Sequence, residues 1–201
     1  MTHILTTLSV SHVVQGIILG GVLAFLTAQI IMNAVVKAMT TTVNGWSTTF
    51  KCGQPGNGIL LRAACAKVLP AVNVVQEAAY WTTTVDSVGR RLSGQREYVL
   101  HFPEGQLPPN DAFWSLTMTD VVGYMVSNPI DRSSVGSRFG LVPNADGSID
   151  IYLQRTAPAG HESNWLPAPA GYFKLMLRAY LPSRAILDGE YHVPPVVRYP
   201  R

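Results

Sequence analysis

The chain has 201 residues, of which 47% are hydrophobic and only 13% charged. That balance excludes a disordered chain, a coiled coil and a collagen-like fibre, and it suits one globular domain joined to something unusually apolar. The net charge of +3 could point to nucleic acid, but the basic residues are scattered singly or in short pairs such as Arg90-Arg91. With no basic stripe, Gly-rich phosphate loop, paired-Cys zinc site or stacking motif, nucleic-acid binding is not expected, nor is a metal or cofactor.

None of the charged side chains lies in residues 1–36; the first is Lys37. Residues 1–12 read as a short tail, and residues 13–36, VVQGIILGGVLAFLTAQIIMNAVV, contain neither a charge nor a proline. At about 1.5 Å per residue such a helix crosses a hydrocarbon core of about 30 Å with some tilt. The competing reading is a cleaved signal peptide. The tail lacks the basic n-region of one, the apolar run is longer than an h-region, and Lys37 would fall inside the cleavage site, so a retained transmembrane helix is expected. Gly16, Gly20, Ala24 and Ala28 recur every fourth residue and form a small-residue stripe. A second helix, from another copy or another membrane protein, can approach closely along such a stripe, and Gln15, Gln29 and Asn33 offer interhelical hydrogen bonds. Lys37 and Lys51 follow the helix and none precedes it, which by the positive-inside rule mildly favours a cytoplasmic C-terminal domain.

Residues 37–77 read as a linker that carries one short helix. Its first part, through residue 57, is rich in Thr, Gly and Asn and looks extended. Residues 59–68, ILLRAACAKV, have the composition of a helix that Pro70 stops. Cys52 and Cys65 are the only cysteines. Two readings are open: a disulfide, worth about 3 kcal/mol in an oxidising compartment, or two unrelated thiols.

From residue 78 to the end the apolar period changes from helical to alternating. Strands are expected at 79–85, 97–102, 112–119, 123–126, 148–154 and 172–181, separated by Pro- and Gly-bearing turns. In the last of these, Phe173, Leu175, Leu177 and Ala179 alternate with Tyr172, Lys174, Met176 and Arg178, so one face is buried and one is wet. Short strands at this spacing predict an all-β, jelly-roll-like antiparallel sandwich preceded by one transmembrane α-helix.

No catalytic signature stands out, and no reaction is assigned. The histidines show no metal-ligand spacing; His101 and His161 read as satisfied surface or edge residues. Asp86 and Asp120 end strands, Asp131-Arg132 suits a local ion pair, and Ser115 lacks a nucleophile elbow. The best candidate ligand-binding surface combines Trp114, Asp120, Arg132, Asn164, Trp165, Arg178 and Tyr180, an aromatic and polar set suited to a sugar or a small acid. The alternative is structural, with Asn164-Trp165 holding a loop.

Five ordered segments carry a family resemblance: HFPEGQLPPNDAFWSLTMTD (101–120), SNPIDR (127–132), NADGSIDIYLQ (144–154), ESNWLPAP (162–169) and LDGEYHVPPVVR (187–198). With NGW at 44–46 they make the chain resemble the bacterial domain of unknown function 1214 over residues 44–198. That domain often follows a domain of unknown function 1254, and the arrangement here resembles the short variety in which a membrane segment directly precedes it. The resemblance implies a jelly-roll sandwich exported across the inner membrane, hence a single-pass protein with its C-terminal domain in the periplasm, against the weak charge bias. It implies no reaction. Two functions are therefore expected: a membrane-anchored structural or interaction module, or an envelope protein that binds or hydrolyses a carbohydrate or small acid in an aromatic and polar pocket.

Overall fold

The computed structural model describes residues 10–69 and 72–199. The first nine residues of the expected tail, and the helix-stopping Pro70, lie outside the described residues.

Helix α1 spans Val10–Met39, 30 residues, and is therefore about 45 Å long. It is long and apolar enough to cross a membrane, and none of its most apolar stretch is covered by the rest of the protein. Its last turns behave differently. Val35, Val36 and Met39 pack with Ala64 and Cys65 of helix α2 (Ile59–Val68). Lys67 of α2 donates hydrogen bonds of 2.7 Å to both Gln29 Oε1 and Asn33 Oδ1. Two of the amides expected to seek another membrane helix are thus met within the chain.

A ten-residue helix is marginal by itself in water. Its buried residues are only Ala64 and Cys65, and Cys65 is disulfide-bonded to Cys52 across a Cα–Cα distance of 5.5 Å. The bridge and the end of α1 hold α2 in place.

Part of the expected linker is sheet. Strands β1 (Thr41–Val43) and β2 (Trp46–Thr48) form a hairpin. Asn44 and Gly45 at its tip have φ of 54° and 81°, the left-handed pair that a tight two-residue hairpin turn needs. Trp46 is buried in the core. Its Nε1 donates to Pro194 O at 2.8 Å, and Asn44 Nδ2 donates to Val193 O at 3.0 Å. The hairpin is therefore stitched to the far end of the chain, and the folded unit begins before residue 78.

The remaining strands are β3 (Ala78–Thr83), β4 (Tyr98–Phe102), β5 (Asn110–Thr119), β6 (Ser134–Gly136), β7 (Ile149–Gln154), β8 (Trp165–Pro167), β9 (Lys174–Pro182) and β10 (Val196–Arg198). They make two sheets, one in the order β1-β2-β3-β9-β5-β6 and one in the order β10-β4-β7-β8. Consecutive strands pass repeatedly from one sheet to the other. All pairs are antiparallel except β7 with β8, a departure from the wholly antiparallel expectation. The two sheets share one core: Trp81, Trp114, Leu116, Leu175 and Leu177 from the larger sheet meet Tyr98, Leu100, Phe102, Ile151 and Leu153 from the smaller. Phe102 and Trp114 touch across it, with ring centroids 5.6 Å apart.

Residues 123–126, expected as a strand, are not one. The Asp120 carboxylate oxygen Oδ1 accepts the backbone N–H groups of Val122, Gly123 and Tyr124 at 2.9, 2.7 and 2.9 Å, which closes a tight turn. Met125 makes only an isolated bridge to Thr119.

Candidate functional site

In β9 the inward residues Leu175, Leu177 and Ala179 are fully buried. Lys174, Met176, Arg178 and Tyr180 lie on the opposite face and are half-buried. Registers fix their neighbours. Tyr80 of β3 and Ser115 of β5 flank Arg178, while Thr82 and Thr117 flank Met176. Arg178 Nη1 donates to Thr117 Oγ1 at 3.2 Å, which steadies the guanidinium over the sheet.

Two walls rise beside this face. One is the end of α2, with Lys67, Val68 and Leu69; the other is the turn bearing Val122, Gly123 and Tyr124. Together they enclose a cleft of about 990 Å³. Its basic groups are Lys67, Lys174 and Arg178, its rings are Tyr80, Tyr124 and Tyr180, and no Asp or Glu lines it. Lys174 and Arg178 make no ion pair among the described residues. Cations without a carboxylate partner, set among tyrosines, can bind an anion by charge-assisted hydrogen bonds while the rings cover its apolar part.

The candidate residues named from sequence divide into two groups. Arg178 and Tyr180 line the cleft, and Asp120 builds its turn wall. The other four have structural duties. Trp114 is a core residue of β5. Asn164 is buried; its Oδ1 accepts from Val142 N–H at 2.8 Å, and its Nδ2 donates to the carbonyls of Val142 and Asp150 at 2.8 and 2.9 Å. Trp165 Nε1 donates to Gln154 O at 2.8 Å. Arg132, expected to pair with Asp131, instead donates from Nη1 to the carbonyls of Glu162 and Trp165 at 2.7 and 2.9 Å. Lys67, Tyr80, Tyr124 and Lys174 were not among the residues expected at a site. The wet face of β9 was the signal for Lys174; nothing in sequence brings α2 or residue 124 beside it.

The other polar candidates are occupied locally. His101 Nδ1 lies 2.7 Å from Asp150 Oδ1, its partner across the β4–β7 pair. His161 packs on Tyr152. Asp86, buried where β3 ends, accepts from Val88 and Arg90 N–H groups at 3.0 and 2.8 Å. Among the described residues no three His, Cys, Asp or Glu side chains converge as a metal site would require.

Hydrogen bonds from Gly123 first, and from Tyr124 and Val122, hold the Asp120 carboxyl below the ordinary aspartate range. A depressed folded value means that the turn is held by the ionised form. This contribution is fully present above the unfolded value of about 3.9 and is lost as pH falls through the folded one. The amide proton shifts of Val122, Gly123 and Tyr124 should therefore titrate together with a midpoint below about 3.9. A midpoint at or above it would show that the three bonds do not favour the ionised form.

A two-sheet β domain with an apolar N-terminal helix and a cationic, tyrosine-lined cleft is the class that these features define. The chain belongs to the family described as "Protein of unknown function (DUF1214)", whose sequence model matches residues 77–184. Among solved structures it is similar to the VPA0106 protein from Vibrio parahaemolyticus, with 27% identity and a TM-score of 0.61 over 72% of this chain and 36% of that one. It also aligns with an uncharacterised protein from Burkholderia cenocepacia at 12% identity and a TM-score of 0.40, over 87% of this chain and 49% of that one. The chain thus spans about a third to a half of the length of these structures. No curated protein matches it.

Proposed function

We propose that the protein is a single-pass envelope protein whose jelly-roll-like sandwich stands on the periplasmic side and binds an anionic ligand in the cleft. The observation that carries the binding reading is the placement of Lys67, Lys174 and Arg178 among three tyrosines with no carboxylate lining the cleft. Anchoring is supported by the bare apolar stretch of α1 and by the packing of its last turns into the folded unit. Cleavage near Met39 would remove Val35, Val36 and both partners of Lys67. A periplasmic domain is supported by the Cys52–Cys65 bridge, because disulfides persist in oxidising compartments.

The test is calorimetric titration of the full chain in detergent with methyl phosphate and phenyl phosphate. Weak, salt-sensitive binding is expected, tighter for the phenyl ester. Replacing Lys174 and Arg178 together by Gln should weaken it at least about tenfold, since each bond to a charged group contributes on that scale. Unchanged binding in the double variant would reject the cleft as an anion site.

A second reading, an interaction module joined through its membrane helix, is favoured by the small-residue stripe. Gly16, Gly20 and the off-stripe Gly21 all face open space, so nothing in this chain hinders a second helix from approaching the stripe. Replacing Gly20 by Ile should weaken co-purification of differently tagged copies, whereas Ile18→Phe should not. Equal effects would reduce the helix to a tether.

A further inference from the structure

We infer that the cleft takes an amphiphile, with its anionic head on Lys174 and Arg178 and its hydrocarbon chain running past the end of α2 toward the base of α1. This deepens the anion-site reading and rests on it. The cleft is not closed at the α2 side: a smaller pocket of about 240 Å³ continues from it and shares Val68, Leu69, Tyr80 and Thr82. The pocket's other walls are Val36 and Thr40 at the end of α1 and Ser47, Thr48 and Thr49 at the edge of the hairpin. Charge is thus confined to one end of the joined cavity. The other end has the side chains of Val36, Val68 and Leu69 and contains no charged group.

A further observation favours a lipid-like ligand over a soluble anion. The pocket abuts the very helix whose preceding turns are bare and apolar, so a chain leaving the bilayer along α1 reaches Val36 first. Across the cleft, Val122 of the turn wall is 74% exposed, an apolar edge beside the charged centre.

The experiment uses the full chain in phosphatidylcholine nanodiscs and a decyl phosphate carrying a photoreactive group at its chain end. The proposal expects crosslinks at residues 47–49 and 68–69. Unlabelled decyl phosphate should displace the probe at least about tenfold more effectively than methyl phosphate, because even two buried methylenes supply that ratio. Labelling should fall about tenfold in the Lys174→Gln, Arg178→Gln chain. If methyl phosphate competes as well as decyl phosphate, the ligand is a soluble anion; the amphiphile is overturned and the anion site stands. If labelling stays on lipid-facing residues such as Ile17 and Leu23 and ignores the double variant, both readings fall.

Discussion

Replacing Cys52 and Cys65 together by Ser is expected to cost about 3 kcal/mol of stability, the loop-closure contribution for a bridge across 13 positions. The loss should be local before it is global. Helix α2 fully buries only Ala64 and Cys65, with Leu61 and Val68 partly buried, so without the bridge it is held by a small apolar cluster with Val72 and the end of α1 and by the bonds from Lys67. Because Lys67, Val68 and Leu69 form a wall of the cleft, the same change should weaken anion binding although it touches neither Lys174 nor Arg178. Urea unfolding with and without reductant, with limited proteolysis across residues 59–68, measures both effects. Protease resistance that survives reduction would show that α2 does not need the bridge.

Asn164→Ala should be of similar size and of a different kind. The side chain lies in the core edge and satisfies one N–H and two carbonyls, belonging to Val142 and Asp150. Alanine leaves all three without that partner, and at about 1–3 kcal/mol for each buried orphan, partly offset by water at the exposed Val142, the expected loss is about 3 kcal/mol. Anion binding measured on the folded fraction should be unchanged, since Asn164 is not a cleft residue. A variant of normal stability with impaired binding would return Asn164 to a ligand-binding role.

These two residues types illustrate what sequence can reveal. Sequence leaves a bridge and two unrelated thiols equally open for Cys52 and Cys65, and the structure joins them; α2 occupies residues 59–68 as its composition predicts. The alternation in β9 locates both its core face and its wet face. The segment around Asn44-Gly45, rich in Thr, Gly and Asn, reads as linker, and the structure makes it a hairpin. Strands β6, β8 and β10, three residues each, are too short to show a period. Residues 123–126 have strand-like composition, but the Asp120 carboxylate captures three successive amides and turns the chain instead.

The candidate site was legible only as far as one strand carries it. Arg178 and Tyr180 lie on β9, and register alone places Tyr80 beside Arg178. The walls come from α2 and the turn after β5, far apart in sequence, and no local pattern records that meeting. Conversely, Trp, Arg and Asn suit a ligand site and a loop staple equally well. Arg132, Asn164 and Trp165 are spent on backbone carbonyls and amides, which only the three-dimensional contacts reveal.

If α1 is retained as proposed, its last turns stay built into the unit that frames the cleft. Intact-mass spectrometry of the chain extracted from membranes should then find one species that keeps the whole of α1, with Cys52 and Cys65 oxidised. A mature chain beginning near Met39 would overturn the anchor, since Val35, Val36, Gln29 and Asn33 would be absent from the protein that functions.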